Sequence, residues 1–351
     1  MKKISLILFL CIIAFSILRA EDKSVIKLIP VYEKTFQDTI VDVIFDTATV
    51  SIKEAKEMGW KDNAFDEEER VKGKATISYP NILMTGRGEG NIKEIIFYSK
   101  SGQIKRRIHV SKTEKVIRSE EGHYILKAKR YNEFNLSQQG AVLYDWNGNV
   151  VWEKEKGIFT AVSDSGYSAT GFVSVDGSWY PFKIYNSKGV EVESLNLNYN
   201  NIIDAGGRFS GDYFVVCAWI KNRKTHIVII PLQSKKSRMD RIIDDWVNQN
   251  DVEIFNTTGI IVGRPLMIID WSGKINKLAL LKKIPPGFIT VWSVKNNEIH
   301  LYVDGGQLVI IKGGKIENQI TLEPNVKRAK KYIYKVISNK IVLKKLERVE
   351  K

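Results

Sequence analysis

Leu143–Trp152 reads LYDWNGNVVW: an apolar run, a polar centre at Asn147-Gly148, and a second apolar run closed by Trp152. Asn-Gly between two apolar runs is a strong hairpin signal, because a tight two-residue loop needs positive φ and both residue types tolerate it. Related turns occur at YSKSGQ (Tyr98–Gln103), YNSKGV (Tyr185–Val190), DWSGKI (Asp270–Ile275) and KGGKI (Lys312–Ile316). Their glycines, Gly102, Gly148, Gly189, Gly273 and Gly314, are spaced 46, 41, 84 and 41 residues apart, and 84 is two steps of 42. The missing turn falls in HIVIIPLQSKKS (His226–Ser237), which keeps the strand-like run and the polar break but has no glycine.

A second family of turns lies upstream of these. It comprises SEEGHY (Gly122), SDSGYS (Gly166), FSGDYF (Gly211), NTTGII (Gly259), VKNNEI (Asn296, Asn297) and ISNKIV (Ser338, Asn339), each flanked by apolar or alternating runs. Two hairpins per period mean four short strands per unit, and a period of about 40–50 residues with four strands is the signature of a β-propeller blade. A blade cannot cover its own faces, so blades stack around an axis and bury them against one another. The expected fold is all-β.

The pattern at Leu143–Trp152 (apolar run, Asp-x-x-Gly-x, apolar run, Trp) resembles the last two strands of blades in quinoprotein-type and Trp-Asp-repeat propellers. The resemblance covers the chain from about residue 76 onward. The quinoprotein tryptophan docking motif is present in good form at Trp152 alone, and the histidine-bearing and Trp-Asp signatures of true Trp-Asp repeats are absent. The resemblance implies an architecture, and no functional residue is carried over from it.

Residues 112–322 hold five complete units. The hairpin YIYKVISNKIVLKKLE (Tyr332–Glu347) has no second hairpin after it, and the hairpin at Gly102 has no clear partner before it. Joining the two closes a sixth blade from both ends of the chain, which removes an open sheet edge. A count of seven follows instead if strands in residues 25–50 pair with the C-terminal hairpin and Ala75–Met84 completes the Gly102 blade. The repeat pattern favours six and leaves seven open.

Residues 1–20 read as a secretory signal, with Lys2 and Lys3 before the apolar run Ile4–Leu18 and Ala20 at the cleavage point. That run of 15 residues is shorter than the ~20 a membrane helix needs, so no transmembrane helix is expected after cleavage. The protein is accordingly expected to be exported, to the periplasm, the cell surface or the medium. Residues 21–75 form an N-terminal segment outside the repeat, and 76–351 the propeller, closed by pairing of N- and C-terminal strands. Within Ser51–Lys74, Ser51 precedes Glu54 at capping-box spacing, and Ile52, Ala55 and Met58 make one narrow apolar face. A short amphipathic helix is expected there, packed on one end of the propeller or held out for a partner.

The formal charge is +14, and loss of residues 1–20 with Lys2, Lys3 and Arg19 leaves +11. The excess clusters at Lys105–Arg107, Arg223–Lys224, Lys235, Lys236 and Arg238, and at Lys327, Arg328, Lys330 and Lys331. Such patches favour an anionic partner and salt-sensitive association. In an exported protein that partner is an acidic glycan, a lipid headgroup or an acidic protein rather than nucleic acid. Cys217 is the one cysteine left after cleavage, which rules out an intrachain disulfide framework and suits a buried strand residue.

Chemistry-bearing motifs are sparse. His109, His123, His226 and His300 lie on separate elements without metal-ligand spacing. Asp145, Asn147 and Asn149 mimic the opening of a calcium loop, but Val150 and Lys156 stand where Gly and Glu belong. GYSATG (Gly166–Gly171) is one residue too long for a nucleophile elbow. Gly86, Gly88 and Gly90 precede a strand, not the helix a phosphate loop requires. Glu120-Glu121, Asp164, Asp244-Asp245 and Asp304 fall at turns, where solvated carboxylates are common. Trp179, Trp219, Trp246, Trp271 and Trp292 read as packing between blades, and Trp146 and Trp271 share one place in two copies of the turn.

No catalytic or metal-ligating residue and no cofactor is assigned, and neither the binding residues nor the oligomeric state is legible. The expected function is a non-enzymatic exported scaffold binding a protein or anionic envelope ligand. The alternative is a propeller enzyme, a hydrolase, lyase or quinoprotein-like protein, with its site in the axial channel. Three or more His, Asp, Glu or Arg residues converging there from different blades are the feature that would favour the enzyme.

Overall fold

The computed structural model describes residues 25–87, 91–130, 140–173, 179–197, 202–233, 237–255, 259–263, 266–272, 274–277, 289–295, 298–303, 306–312, 315–322, 326–329 and 332–349. The expected signal segment lies outside these residues, as do Gly88, Gly90, Gly273, Gly314, Asn296, Asn297, Asp304, Lys235, Lys236, Lys330 and Lys331.

The chain begins with β1 (Val25–Thr35). The first blade is β2 (Ile40–Ser51), β3 (Lys74–Gly86), β4 (Ile92–Tyr98) and β5 (Ile104–His109). The second is β6 (Glu114–Arg118), β7 (Tyr124–Lys129), β8 (Ala141–Asp145) and β9 (Val150–Lys154). The third is β10 (Phe159–Val162), β11 (Ser168–Val173), β12 (Trp179–Tyr185) and β13 (Glu191–Leu195). The fourth is β14 (Ile202–Ser210), β15 (Tyr213–Ile220), β16 (Lys224–Pro231) and β17 (Met239–Ile243). The fifth is β18 (Val252–Phe255), β19 (Gly259–Gly263), β20 (Leu266–Ile269) and β21 (Ile275–Lys277). The sixth is β22 (Ile289–Lys295), β23 (Glu298–Val303), β24 (Gln307–Lys312) and β25 (Lys315–Thr321). The last takes β26 (Val326–Ala329), β27 (Tyr332–Ile337) and β28 (Lys340–Val349), with β1 on its edge.

Each sheet has four antiparallel strands, and seven such sheets are present among the described residues. The fold is an all-β propeller, and the count is seven rather than the favoured six. The reason lies in two long N-terminal strands. β1 pairs with β28 from Val25↔Val349 to Thr35↔Lys340, and β2 pairs with β3 from Ile40↔Thr85 to Ser51↔Lys74 across an intervening insertion. The Gly102 hairpin therefore has its own first two strands, and the C-terminal hairpin takes β26 and β1. The turn at Ser338-Asn339 joins the second and third strands of its blade, not the first and second. Residues 25–51, set outside the propeller by the sequence reading, supply strands to two blades.

First strands line the axis. β10 touches β6 and β14, and ion pairs link first strands of different sheets. Fourth strands face outward: β5, β9 and β13 are largely exposed, whereas all of β15 except its last two residues is buried. Cys217 lies in that buried stretch, 1 % exposed.

The recurring turn has a local and a tertiary cause. Asp145 Oδ1 accepts from the N–H groups of Asn147 (2.9 Å) and Asn149 (2.8 Å), and Asp270 Oδ1 does the same for Ser272 and Lys274. Asn186 plays this part in the third blade. Such side-chain acceptors stabilise tight turns. The Asp145 carboxylate, offered above as a calcium mimic, is thus taken up by its own turn. Each turn also presses on the preceding blade. A Cβ on Gly148 would lie 3.1 Å from Phe97 and Arg106, and one on Gly189 would lie 3.4 Å from Trp152. Trp152 in turn sits 5.4 Å from Phe159, between the second and third blades.

The insertion between β2 and β3 forms two helices, where a single one was expected: α1 (Ile52–Glu57) and α2 (Glu67–Lys72). Ser51 Oγ accepts the Glu54 N–H at 3.1 Å, and Ala55 is buried with Ile52 and Met58 beside it. Asp66 and Glu69 cap α2 reciprocally. Between the helices Trp60 packs on Tyr32 at 5.2 Å, and the Lys61 N–H bonds the Val31 carbonyl. The insertion therefore covers the seam where the last blade meets the first, in one core with Phe45, Ile77, Tyr334 and Leu343. No helix among the described residues is long and apolar enough to cross a membrane.

Candidate functional site

On the axis, a cleft of ≈ 330 Å³ opens between the second, third and fourth blades, with Asn250 of the fifth at its rim. Arg118 and Glu120 reach it from the end of β6, Thr160 from β10 and Arg208 from β14. The turn after β6 places its carboxylate, Glu120, and an equivalent turn follows β10. Ser119 and Ser163 occupy equivalent positions and accept the N–H groups of Tyr124 (3.1 Å) and Tyr167 (2.9 Å). Glu120 and Asp164 come next in each copy. Asp164 accepts from the Glu121 N–H at 2.9 Å and the His123 N–H at 3.5 Å, stapling the third blade to the second.

Ion pairs run around the axis from one first strand to the next. Lys327 of the last blade contacts Asp42 of the first at 3.1 Å, and Asp42 contacts Arg118 Nε of the second at 2.7 Å. Arg208 of the fourth pairs with Glu253 of the fifth, which also accepts from Ser210 Oγ. In every pair the cation is the more exposed partner. Asp42 and Glu253 side chains are 13% and 14% exposed, against 34%, 41% and 23% for Arg118, Lys327 and Arg208. Burial works to lower the Arg118 pKa, and Asp42, joined by Tyr334 and Asp164, outweighs it, so this guanidinium stays charged. Arg118 also donates Nη1 to the carbonyls of Ser119 and Glu120.

Glu120 meets water in the cleft yet is surrounded by protein on its other sides. That desolvation, followed by repulsion from Glu253, Asp164 and Glu121, outweighs the attraction of Arg208 and raises its carboxyl to about 7. A raised carboxyl holds its proton more tightly folded than unfolded. Stability is therefore highest below the ordinary carboxylate range and falls as pH rises through about 7. Glu120→Gln removes this term. In thermal melts between about pH 5 and pH 8, the native chain is expected to lose stability relative to the variant as pH rises. Parallel curves would contradict the assignment.

The other sequence candidates lie elsewhere. Asp244 pairs with Lys224 at 3.3 Å, and Asp245 Oδ1 accepts the Trp246 N–H. His226 is buried 3.2 Å from Asp240 on the fourth blade, His123 lies 4.0 Å from Asp164, and His109 is exposed on β5. Ser168 of GYSATG is fully buried in β11. Among the described residues no group of three His, Cys, Asp or Glu side chains is placed to hold a metal ion. The first basic cluster is an inter-blade staple: Lys105 donates to Asn147 Oδ1 at 3.3 Å, Arg106 to the Gly148 carbonyl at 2.6 Å, and Arg107 to Glu94 at 2.8 Å. Arg223 lies over the Trp246 ring, which stacks on Trp219 at 5.7 Å. Trp271 packs on Tyr213 at 5.4 Å, whereas Trp146 is 46% exposed, so their shared place in the turn does not give a shared role. Linear spacing could not reveal Arg118, Arg208 and Glu253, because each belongs to a different blade.

Fold and site together define a seven-bladed propeller with a charged axial cleft. No family model matches the chain, and no curated protein matches it. Solved propellers do. BamB from Moraxella catarrhalis covers 91% of this chain and 100% of its own, at 11% identity and a TM-score of 0.43. The Dos1 propeller covers 91% and 95% at 10% identity and 0.47. Apo AztD from Citrobacter koseri covers 80% of each chain at 10% identity and 0.42. At such identities the likeness concerns the fold alone.

Proposed function

We propose that this chain is an exported binding propeller that holds a small carboxylate-bearing ligand, of the sugar-acid class, in its axial cleft. The observation that carries this reading is the orientation of the axial ion pairs. Arg118 and Arg208 are the more exposed halves of their pairs, and both line one cleft. Guanidinium groups suit carboxylates because their donors match both oxygens. Glu120, Thr160 and Asn250 offer hydrogen bonds to ligand hydroxyls. Export rests on the N-terminal signal pattern of the sequence. The cleft's size favours a small ligand over the protein partner that the sequence reading also allowed.

The probe is galacturonate, titrated into the full chain by calorimetry. Arg118→Gln is the chosen variant because Asp42 keeps Lys327 as its partner. Loss of the Arg118 charge is expected to weaken binding by about tenfold or more, the scale of one charge-assisted hydrogen bond. Equal affinity in native and variant chains would refute the site.

A second reading is favoured by one observation. Arg118 and Glu120, Arg208 and Glu253 come from three blades, and Glu120 has the pKa of a general acid or base working near neutrality. An acid–base enzyme acting on the same ligand class would show turnover abolished by Glu120→Gln with binding retained.

A further inference from the structure

The insertion that covers the seam also makes a second cleft, ≈ 460 Å³ in volume, far from the axial residues in sequence and built from different elements. Its walls are α1, the end of β1, the middle of β3 and the turn from Ser99 to Gly102. Tyr32, Met58, Tyr79 and Pro80 give it an aromatic and apolar body. An ion pair between Glu54 of α1 and Lys100 of the turn, at 2.8 Å, ties the helix to the first blade. Two lysines line the cleft. Lys100 is neutralised by Glu54, but Lys34 is half-buried with no carboxylate paired to it among the described residues, its ammonium 5.4 Å from the Phe36 ring. The Gly102 turn closes over that ammonium, since a Cβ there would stand 2.9 Å from Lys34 Nζ. Glu57, the remaining acid in the lining, is exposed at the rim.

We propose that this cleft is a second binding site, for a ligand that carries one anionic group on an aromatic or apolar body. The anion meets Lys34, and the body lies against Tyr32, Tyr79, Pro80 and Met58. A half-buried cation lacking a counter-charge gains most from an anion delivered with an apolar group that displaces water. Burial pulls the Lys34 pKa down, the direction a bound anion would reverse. The volume lies in the range of small-molecule sites, which are mostly apolar with a few placed polar groups. The buried face of the insertion seals the seam, and its last turn walls the cleft.

The test uses 2-naphthoate and the neutral 2-naphthalenemethanol, titrated separately into the full chain by calorimetry. The native chain is expected to bind naphthoate at one saturable site, about tenfold or more tighter than the alcohol. Lys34→Met keeps the apolar stem and should abolish that preference. Met58→Ala should weaken both probes, and Glu57→Gln, by removing a like charge at the rim, should leave naphthoate affinity equal or higher. Arg118→Gln removes any uptake of naphthoate by the axial arginines and should leave the Lys34-dependent preference intact, so failure of the axial site and of this one are separable. Absence of saturable naphthoate binding, no preference over the alcohol, or a preference that survives Lys34→Met would each overturn the proposal.

Discussion

Trp60→Ala is expected to destabilise the propeller by about 3–5 kcal/mol, the cost of truncating a large buried aromatic. Trp60 is 3% exposed and packs on Tyr32, itself 2% exposed, in a core shared by β1, the insertion and the strands of the first and last blades. Its backbone bridges Tyr32 as well. That location matters because β28 is the only strand paired with β1 in its sheet, and the Trp60–Lys61 backbone holds its other edge. Loosening it reopens the one place where the ring is closed by strands from opposite ends of the chain. Urea denaturation measures the loss, and a cost below about 1 kcal/mol would show that the insertion is not part of the closure.

Gly122→Ala should be nearly as damaging for a different reason. Gly122 has φ +81°, where a side chain is strained, and its Cβ would stand 2.0 Å from Ile44 Cγ2 on the first blade. Left-handed backbone costs roughly 1–2 kcal/mol and overpacking about 1–3 more. Ile44→Ala in the same chain should recover part of the loss, since the two changes meet in one contact. Additive losses in the double variant would place the cost in the backbone alone. Because Gly122 ends the turn that carries Glu120, the variant should also weaken galacturonate binding.

The repeat was legible because its signal is local. A turn such as Asp145–Asn149 needs a side-chain acceptor at its start and a glycine where it presses on the preceding blade, and both requirements recur in the first three blades. The blade count was not legible for the opposite reason. β2 and β3 are partners separated by the whole insertion, and β1 pairs with a strand at the other end of the chain. Neither pairing leaves a spacing to read. The capped start of α1 could be read from Ser51 and Glu54, whereas α2, capped by Asp66 and Glu69, merged with it in the pattern.

The site divides in the same way. Glu120 and Asp164 were visible as turn carboxylates, and their equivalence follows from Ser119 and Ser163 in matching turns. What they face was not visible. Arg118, Arg208, Asp42, Glu253 and Lys327 look like ordinary strand charges, and only closure of the ring brings them to one axis. The basic clusters misled in the reverse sense. Lys105, Arg106 and Arg107 look like a docking patch in sequence, but in the fold they staple the first blade to the second blade's turn or pair with Glu94.

The most direct test of the axial cleft is galacturonate affinity measured across pH in the native chain and in Glu120→Gln. An anion seated between Arg118 and Arg208 lies beside Glu120 and favours its protonated form. Native affinity should therefore be strongest below about pH 7 and weaken as Glu120 ionises above it, while the Glu120→Gln profile stays flat. Matching pH profiles in the two proteins, or no saturable binding in either, would contradict the assignment of the axial cleft as the ligand site.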